Sequence, residues 1–222
     1  MVLLLDQVLT TEHLGALERF LQAAVFRDGA ATTGAAARGK RNLEMDRENS
    51  AGAEQAERLI VAALSDQRAL SDYALPRHYS APIFSRYEPG MGYPQHVDNP
   101  LLGASAMRSD ISVTLFLSDP AHYTGGELVL DLEGGEQAIK LPAGSAVAYT
   151  TGTPHRVAPV TRGARMTAVL WIQSLVADPH RRGILGDFQR LHHHYVTTAP
   201  DSPETETFLG AYYRLFRLWA QP

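Results

Sequence analysis

The 222-residue sequence contains no cysteine, which excludes a disulfide, a thiolate nucleophile, a zinc–thiolate site and a Cys-ligated iron–sulfur cluster. Any metal must be held by histidine and carboxylate. Long basic runs are also missing: 20 Lys and Arg against 24 Asp and Glu, interspersed along the chain, leave a net charge of −4. Such a distribution offers neither a track for a phosphate backbone nor a polybasic patch for an anionic membrane, so neither nucleic acid nor membrane is an expected partner. The opening MVLLLDQ has a short apolar run before Asp6 and no basic leader, too little for a signal h-region or a membrane span, and a cytoplasmic location is expected.

What is present, 45 % hydrophobic residues, suffices to bury a substantial core in one domain with a smaller appended element. From Thr10 to Phe26 the residues Leu14, Leu17, Phe20, Leu21, Ala24 and Val25 recur at steps of three and four. This spacing predicts an amphipathic helix with Thr10 or Thr11 as N-cap. A second helix is expected over about 51–64, after a stretch rich in Gly and small residues (28–42, DGAATTGAAARGKRN) that reads as a loop or irregular strand. After Pro76 the texture changes to strand-like runs at 81–87, 109–119, 126–132, 137–142, 145–150, 155–160 and 164–175, punctuated by glycines. Such spacing, with no long helices between the runs, predicts a mainly β fold with flanking helices, an antiparallel double sheet or barrel such as a jelly roll. Beyond Pro179 the pattern turns helical again. There Leu209, Tyr212, Tyr213, Phe216 and Trp219 form an aromatic stripe expected to pack on the domain or on a second subunit, a candidate homo-oligomer surface. The expected organisation is a helical support region over 1–75, a β core over 76–178 and a helical region over 179–222.

Residues 93–100, YPQHVDNP, set His96 one residue from Asp98. Alone the pair carries little, because nine His and 24 acidic residues produce about one such pair by chance. Residues separated by one project to the same side of an extended segment, and His155, at the start of a later strand, can close a face with them. Two histidines and a carboxylate form a facial triad that leaves three positions of an octahedral metal open, the set non-haem Fe(II) oxygenases use for a bidentate co-substrate and O2. Arg165 sharpens the idea. If the chain reverses as a hairpin centred on Arg162, Arg165 lies opposite Pro159, and residues 155, 157, 159, 165, 167, 169 and 171 share one face. His155 and Arg165 then stand four residues apart on one ladder, roughly 13 Å at ~3.3 Å per residue. A five-carbon dicarboxylate plus an Arg side chain spans that distance, with the guanidinium gripping the far carboxylate bidentately. Tyr87 and Tyr93 read equally as core aromatics. The loop 99–109 and the 28–42 stretch are candidate covers for the site entrance. The run His192–His194 is expected to be polar helix surface, since adjacent helical residues point ~100° apart and cannot all face one ion.

Taken in order, Y-x-P-G-x-G-Y-x-x-H-V-D-N-P (Tyr87–Pro100), the strand SVTLFLSD, Y-T-G-G-E-L (Tyr123–Leu128), L-P-A-G-S-A-V-A-Y (Leu141–Tyr149), H-R-V-x-P-V-T-R-G-A-R (His155–Arg165) and W-I-Q-S-L (Trp171–Leu175) resemble the prolyl 4-hydroxylase-like Fe(II)/2-oxoglutarate dioxygenases. More narrowly they resemble the bacterial PKHD-type hydroxylases, the PiuC-like group, closely over residues 76–190. The resemblance implies a double-stranded β-helix, with His96, Asp98 and His155 as iron ligands and Arg165 as the 2-oxoglutarate anchor. It further implies O2 and an unidentified small-molecule or peptide substrate, succinate and CO2 as products, and L-ascorbate as the reductant that rescues oxidised iron. A strand tyrosine of that family falls here on Phe116, so its hydroxyl is expected from Tyr87 or Thr114. Asp98 stands where iron halogenases carry a small residue, which favours hydroxylation. The rival is a non-catalytic cupin-like module that binds a metal or small acid as a sensor, with no O2-dependent turnover.

Overall fold

In the computed structural model, which describes residues 2–32 and 39–221, the chain opens with β1 (Val2–Leu5), α1 (Thr11–Ala23), β2 (Phe26–Asp28), β3 (Leu43–Met45), α2 (Ala53–Ser65) and α3 (Arg68–Ala74). Next come β4 (Pro76–Tyr79), β5 (Ile83–Tyr87), β6 (Tyr93–His96), β7 (Leu101–Leu102), β8 (Met107–Arg108), β9 (Ile111–Phe116), β10 (Thr124–Gly125) and β11 (Leu128–Leu132). The rest of the β core is β12 (Gly135–Ile139), β13 (Ala146–Thr150), β14 (His155–Val157), β15 (Val160–Arg162) and β16 (Arg165–Ser174), followed by α4 (Pro179–Thr198) and α5 (Pro203–Trp219). The helix expected over 10–26 is α1, capped by the Thr10 hydroxyl, which accepts from the His13 amide at 3.2 Å. The 28–42 stretch departs from a plain loop, since it begins at the end of β2 and enters a 3-10 turn over Gly29–Thr32; residues 33–38 lie outside the described residues.

Two antiparallel sheets form the jelly-roll sandwich. The larger has eight strands in the order β1-β13-β9-β16-β5-β3-β2, with β4 also paired to β16, and the smaller runs β12-β11-β14-β6. Strand β9 is buried at all six positions because both of its faces are covered. Ile111, Val113 and Leu115, together with Leu170 and Ile172 of β16, pack against Leu17, Ile60, Leu64 and Leu70 of α1–α3. The alternate residues turn the other way, and there Phe116 packs with Leu128, Leu130, Ile139, Val147 and Tyr149 between the sheets. The remaining space between the sheets is the pocket described below.

The hairpin expected between His155 and Arg165 does not form. Strand β14 pairs with β11 and β6 in the smaller sheet, whereas β16 pairs with β5, β9 and β4 in the larger one. The physical reason is local. Pro159 has no N–H to give a ladder, and the flanking amides of Ala158 and Val160 bond outward to the carbonyls of Glu127 and Met91, at 2.9 Å each. The chain therefore crosses from one sheet to the other, and His155 and Arg165 reach the interior from facing walls. Parity along β16 survives the change, since Arg165, Val169 and Trp171 all line the interior pocket.

Beyond Pro179 the helical pattern is two helices, with Ser202 capping α5 through the Thr205 amide at 3.1 Å. Tyr212 of the aromatic stripe is buried against Leu75, Val176 and Leu185, with Phe216 and Trp219 beside it, so most of the stripe covers its own domain. Tyr213 and Leu218 remain 47 % and 73 % exposed. No helix among the described residues is long and apolar enough to cross a membrane.

The crossover turns on Gly163, whose φ is +71° and where a Cβ would stand 2.1 Å from the His122 carbonyl oxygen. Gly163→Ala is expected to lower the unfolding free energy by about 1–3 kcal/mol, seen as a lower urea midpoint at unchanged slope. An unchanged midpoint would show that the turn relaxes freely.

Candidate active site

The core of the site is one rung of the smaller sheet. His155 of β14 is the direct antiparallel partner of His96 of β6, so the two imidazoles leave the same face as close neighbours, their ring centroids 4.2 Å apart. Asp98, just past the end of β6, completes the group, and one donor atom from each residue lies within 4.8 Å of the others. Each imidazole is oriented from behind: Nδ1 of His96 and Nδ1 of His155 each donate to a backbone carbonyl, of Pro94 and Thr153, at 2.9 Å. Both Nε2 atoms thereby turn towards Asp98 Oδ1, at 3.5 and 3.7 Å. These separations suit three donors sharing one cation. The residues therefore fit a metal of His and carboxylate preference.

Asp98 is held from the opposite wall. Its Oδ2 accepts from Ser112 Oγ of β9 and from Trp171 Nε1 of β16, both at 2.8 Å, and Ser112 Oγ lies 3.1 Å from Thr151 Oγ1. Burial pushes the Asp98 carboxyl upward, but His96, His155, Trp171 and Ser112 outweigh it and hold the group below its ordinary value, as carboxylate. For His155 burial dominates and lowers the pKa against the pull of Asp98, which keeps the ring neutral and its Nε2 lone pair available.

Across the cavity stands Arg165, 1 % exposed. Its guanidinium lies 5.2 Å from the Tyr87 ring and 5.5 Å from the Phe116 ring and donates to Thr167 Oγ1 at 3.2 Å. Its Nε is buried, the nearby buried Tyr123 hydroxyl supports its charge, and no carboxylate among the described residues forms an ion pair with it. A buried guanidinium in this state presents a strong demand for an anion. Burial lowers the Arg165 pKa, against the neighbouring tyrosines Tyr87, Tyr123 and Tyr149, and pushes the Tyr87 hydroxyl up to about 12. Tyr87 and Thr114 both line the cavity, and so does Tyr149, whose ring is 5.3 Å from that of His155. Tyr123, Ser112 and Trp171 were not singled out from sequence; Tyr123 sits in the Y-T-G-G-E-L run, and Trp171 shares the parity of Arg165.

The cavity between the triad and Arg165 measures about 320 Å³. Its lip includes Val97, Asn99, Leu101, Leu102 and Gly103, so the 99–109 loop does border the entrance. Arg108 fixes the far end of that loop through Asp110 at 2.7 Å and the Ser174 carbonyl at 2.9 Å. The His192–His194 run lies on α4, with His193 and His194 exposed, away from this constellation.

Residues 82–173 match the 2OG-Fe(II) oxygenase superfamily. Over the full length of both chains the protein is 39 % identical to the PKHD-type hydroxylase tll1907 of Thermosynechococcus vestitus and 41 % identical to a PKHD-type hydroxylase of Acidovorax ebreus. Among solved structures, a Pseudomonas putida prolyl-4-hydroxylase shares 22 % identity and a TM-score of 0.53, covering 78 % of this chain and 92 % of that one. A Trichoplax adhaerens prolyl hydroxylase, in complex with a hypoxia inducible factor oxygen degradation domain peptide fragment, shares 18 % identity and a TM-score of 0.56, covering 83 % of this chain and 86 % of that one.

Trp171→Phe keeps the ring and removes one donor to Asp98. It is expected to weaken Mn(II) binding ~10–100-fold, measured by anaerobic titration calorimetry. Unchanged affinity would mean that the indole N–H does nothing for the carboxylate.

Proposed function

Because the chain belongs to the PKHD-type hydroxylases of the 2OG-Fe(II) oxygenase superfamily, we propose that His96, Asp98 and His155 hold its Fe(II) and that Arg165 anchors its 2-oxoglutarate. The observation that carries this reading is the buried Arg165 guanidinium, without a carboxylate partner among the described residues, facing a His-Asp-His cluster across one cavity. The enzyme is a 2-oxoglutarate-dependent dioxygenase, and the cupin-like sensor alternative gives way to it. When bound, the iron supplies O2 activation, coupling decarboxylation of 2-oxoglutarate to succinate and CO2 with hydroxylation of a substrate C–H bond.

The chain's own residues do the positioning. The backbone bonds behind His96 and His155 keep Nε2 of each ring aimed inward, and the donors Ser112 and Trp171 occupy Asp98 Oδ2, leaving Oδ1 to face the ion. Arg165 takes the distal carboxylate bidentately. The hydroxyl missing at Phe116 comes from Tyr87 or Thr114, which both line the cavity, and the buried Tyr123 hydroxyl beside Arg165 is a third group of the same kind. Phe116 and Leu128 keep water from the buried end. Retention of Asp98 leaves no vacant position for a halide, which supports hydroxylation over halogenation. The same reading includes L-ascorbate as the reductant that keeps iron ferrous, and a cytoplasmic location, where Fe(II) and 2-oxoglutarate are both at hand. It assigns support, core and C-terminal roles to residues 1–75, 76–178 and 179–222. Exposed Tyr213 and Leu218 are its candidate homo-oligomer contacts, and it includes neither nucleic acid nor membrane as partner.

Succinate formation from 2-oxoglutarate, followed by NMR with Fe(II) and O2, tests the assignment. His155→Ala is expected to abolish stoichiometric iron binding. Arg165→Ala is expected to keep iron while its affinity for 2-oxoglutarate falls roughly 30-fold or more, the equivalent of about 2 kcal/mol for a buried charge pair. If neither variant changes iron or 2-oxoglutarate binding, the site is elsewhere.

A further inference from the structure

The three donors of the triad stand on unequal supports. Strand β14, which carries His155, runs between β11 and β6, whereas β6, which carries His96, is the edge of the smaller sheet. Asp98 has two donors on its Oδ2. The His96 imidazole has one bond behind it, from Nδ1 to the carbonyl of Pro94, two residues back in its own strand. A bond at one ring atom fixes where that edge of the imidazole sits and leaves the plane free to tilt about it. The neighbouring His155 ring does not lie flat on it either, since the two planes meet at 52°.

A local irregularity of the strand supplies a second restraint. From His155 to Val157 β14 advances by two residues, while their partners on β6, His96 and Tyr93, are three apart. Strand β6 therefore carries one extra residue here, a β-bulge. In a regular strand residues three apart point to opposite faces. Across the bulge Tyr93 and His96 share a face and both line the cavity, and Pro94 and Gln95 between them are exposed. Tyr93 lies flat on the His96 imidazole, with centroids 3.6 Å apart and planes 18° apart. The Lys40 ammonium in turn lies over the Tyr93 ring, 5.3 Å from its centre, and contacts Glu44 Oε1. The residue after Lys40 ties this segment to the start of β6: Arg41 and Gly92 exchange both backbone hydrogen bonds, at 2.9 and 3.0 Å.

We propose that Tyr93 is a positioning residue for the metal centre, with Lys40 holding its ring: the stack fixes the plane of His96 so that Nε2 stays directed at the ion. The proposal rests on the reading of His96 as an iron ligand given above. The flat face of the ring does the positioning, and the hydroxyl has no part in it. Retention of the ion is where the effect shows. An imidazole free to tilt has Nε2 off the shared point for part of the time, and the apparent affinity of the whole donor set falls with the competent fraction. The bulge is thus part of the site, because without it Tyr93 would leave the opposite face of β6 and His96 would keep a single restraint.

The experiment measures anaerobic Mn(II) binding by titration calorimetry for the wild-type protein and for Tyr93→Phe, Tyr93→Leu, Tyr93→Met, Lys40→Met and His155→Ala. The EPR line shape of the Fe(II)–nitric oxide complex of each protein reports the ligand geometry independently of affinity. Tyr93→Phe, which keeps the flat ring, is expected to match the wild type in both readouts. Tyr93→Leu and Tyr93→Met should bind Mn(II) roughly 3–10-fold more weakly and broaden the EPR signal as the orientation of His96 spreads. If one of these two fails to fold, the other carries the test. Lys40→Met should weaken Mn(II) about 2–5-fold. A role confined to packing would lower the urea midpoint of Tyr93→Leu and leave the EPR line shape as in the wild type, which would overturn the proposal. Unchanged Mn(II) affinity in Tyr93→Leu and Tyr93→Met would overturn it too, as would equal weakening in Tyr93→Phe, which would assign the effect to the hydroxyl. Unchanged affinity in Lys40→Met would overturn the part given to Lys40. The parent reading is judged by its own arm: if His155→Ala binds Mn(II) as the wild type does, the triad is not the metal site and both fall.

Discussion

A single carboxylate, Asp98, ties the two sheets of the sandwich together at the pocket. It follows a strand of the smaller sheet, faces two imidazoles from that sheet with one oxygen, and receives two hydrogen bonds from the larger sheet with the other. The geometry of the whole site depends on this bridge. Were Asp98 free to rotate, the imidazoles would still be fixed by their strand rung and backbone bonds, but the third donor would lose its aim and the far wall its direct polar link to them. Charge-assisted bonds of this kind are worth more in a buried setting than in water, so the link between sheets is also one of the stronger polar contacts around the cavity.

Across from that bridge the cavity keeps a charge of the opposite sign. Arg165 is buried with hydroxyls and aromatic rings for company, an arrangement that holds because a guanidinium remains charged when desolvated and is weakly hydrated to begin with. It asks for an anion, which the proposed co-substrate supplies.

The grouping of His96, Asp98 and His155, the presence of Arg165 in the same interior and most strands of the core are legible in the sequence, because strand parity and turn glycines are local signals and the motif order is dense between Tyr87 and Arg165. What local signals did not carry was which strands pair. The run from His155 to Arg165 has the hydrophobic rhythm of a hairpin, and only the outward bonding of the amides beside Pro159 reveals that it changes sheets. Short strands were lost for a different reason. β3 has three residues and β6 four, too few to show a period, so neither the strand that carries Glu44 nor the one that carries His96 stands out in the sequence. Tyr123 was hidden by its loop, where nothing in the sequence tells that its hydroxyl ends beside a guanidinium. The Thr10 cap and the aromatic stripe of α5, by contrast, follow from spacing alone, although the break at Ser202 that separates α5 from α4 did not.

Strand β9 has one further consequence. Its odd-numbered side chains, Ile111, Val113 and Leu115, belong to the core under the helices, and its even-numbered Ser112 and Thr114 belong to the chemistry. Neighbouring positions in a single strand therefore answer to different demands, one set to cohesion and the other to reactivity. Variation at either set can proceed with little reference to the other, so a lineage carrying this strand can drift in thermal tolerance while its chemistry stands still, or change what it acts upon while its core is conserved.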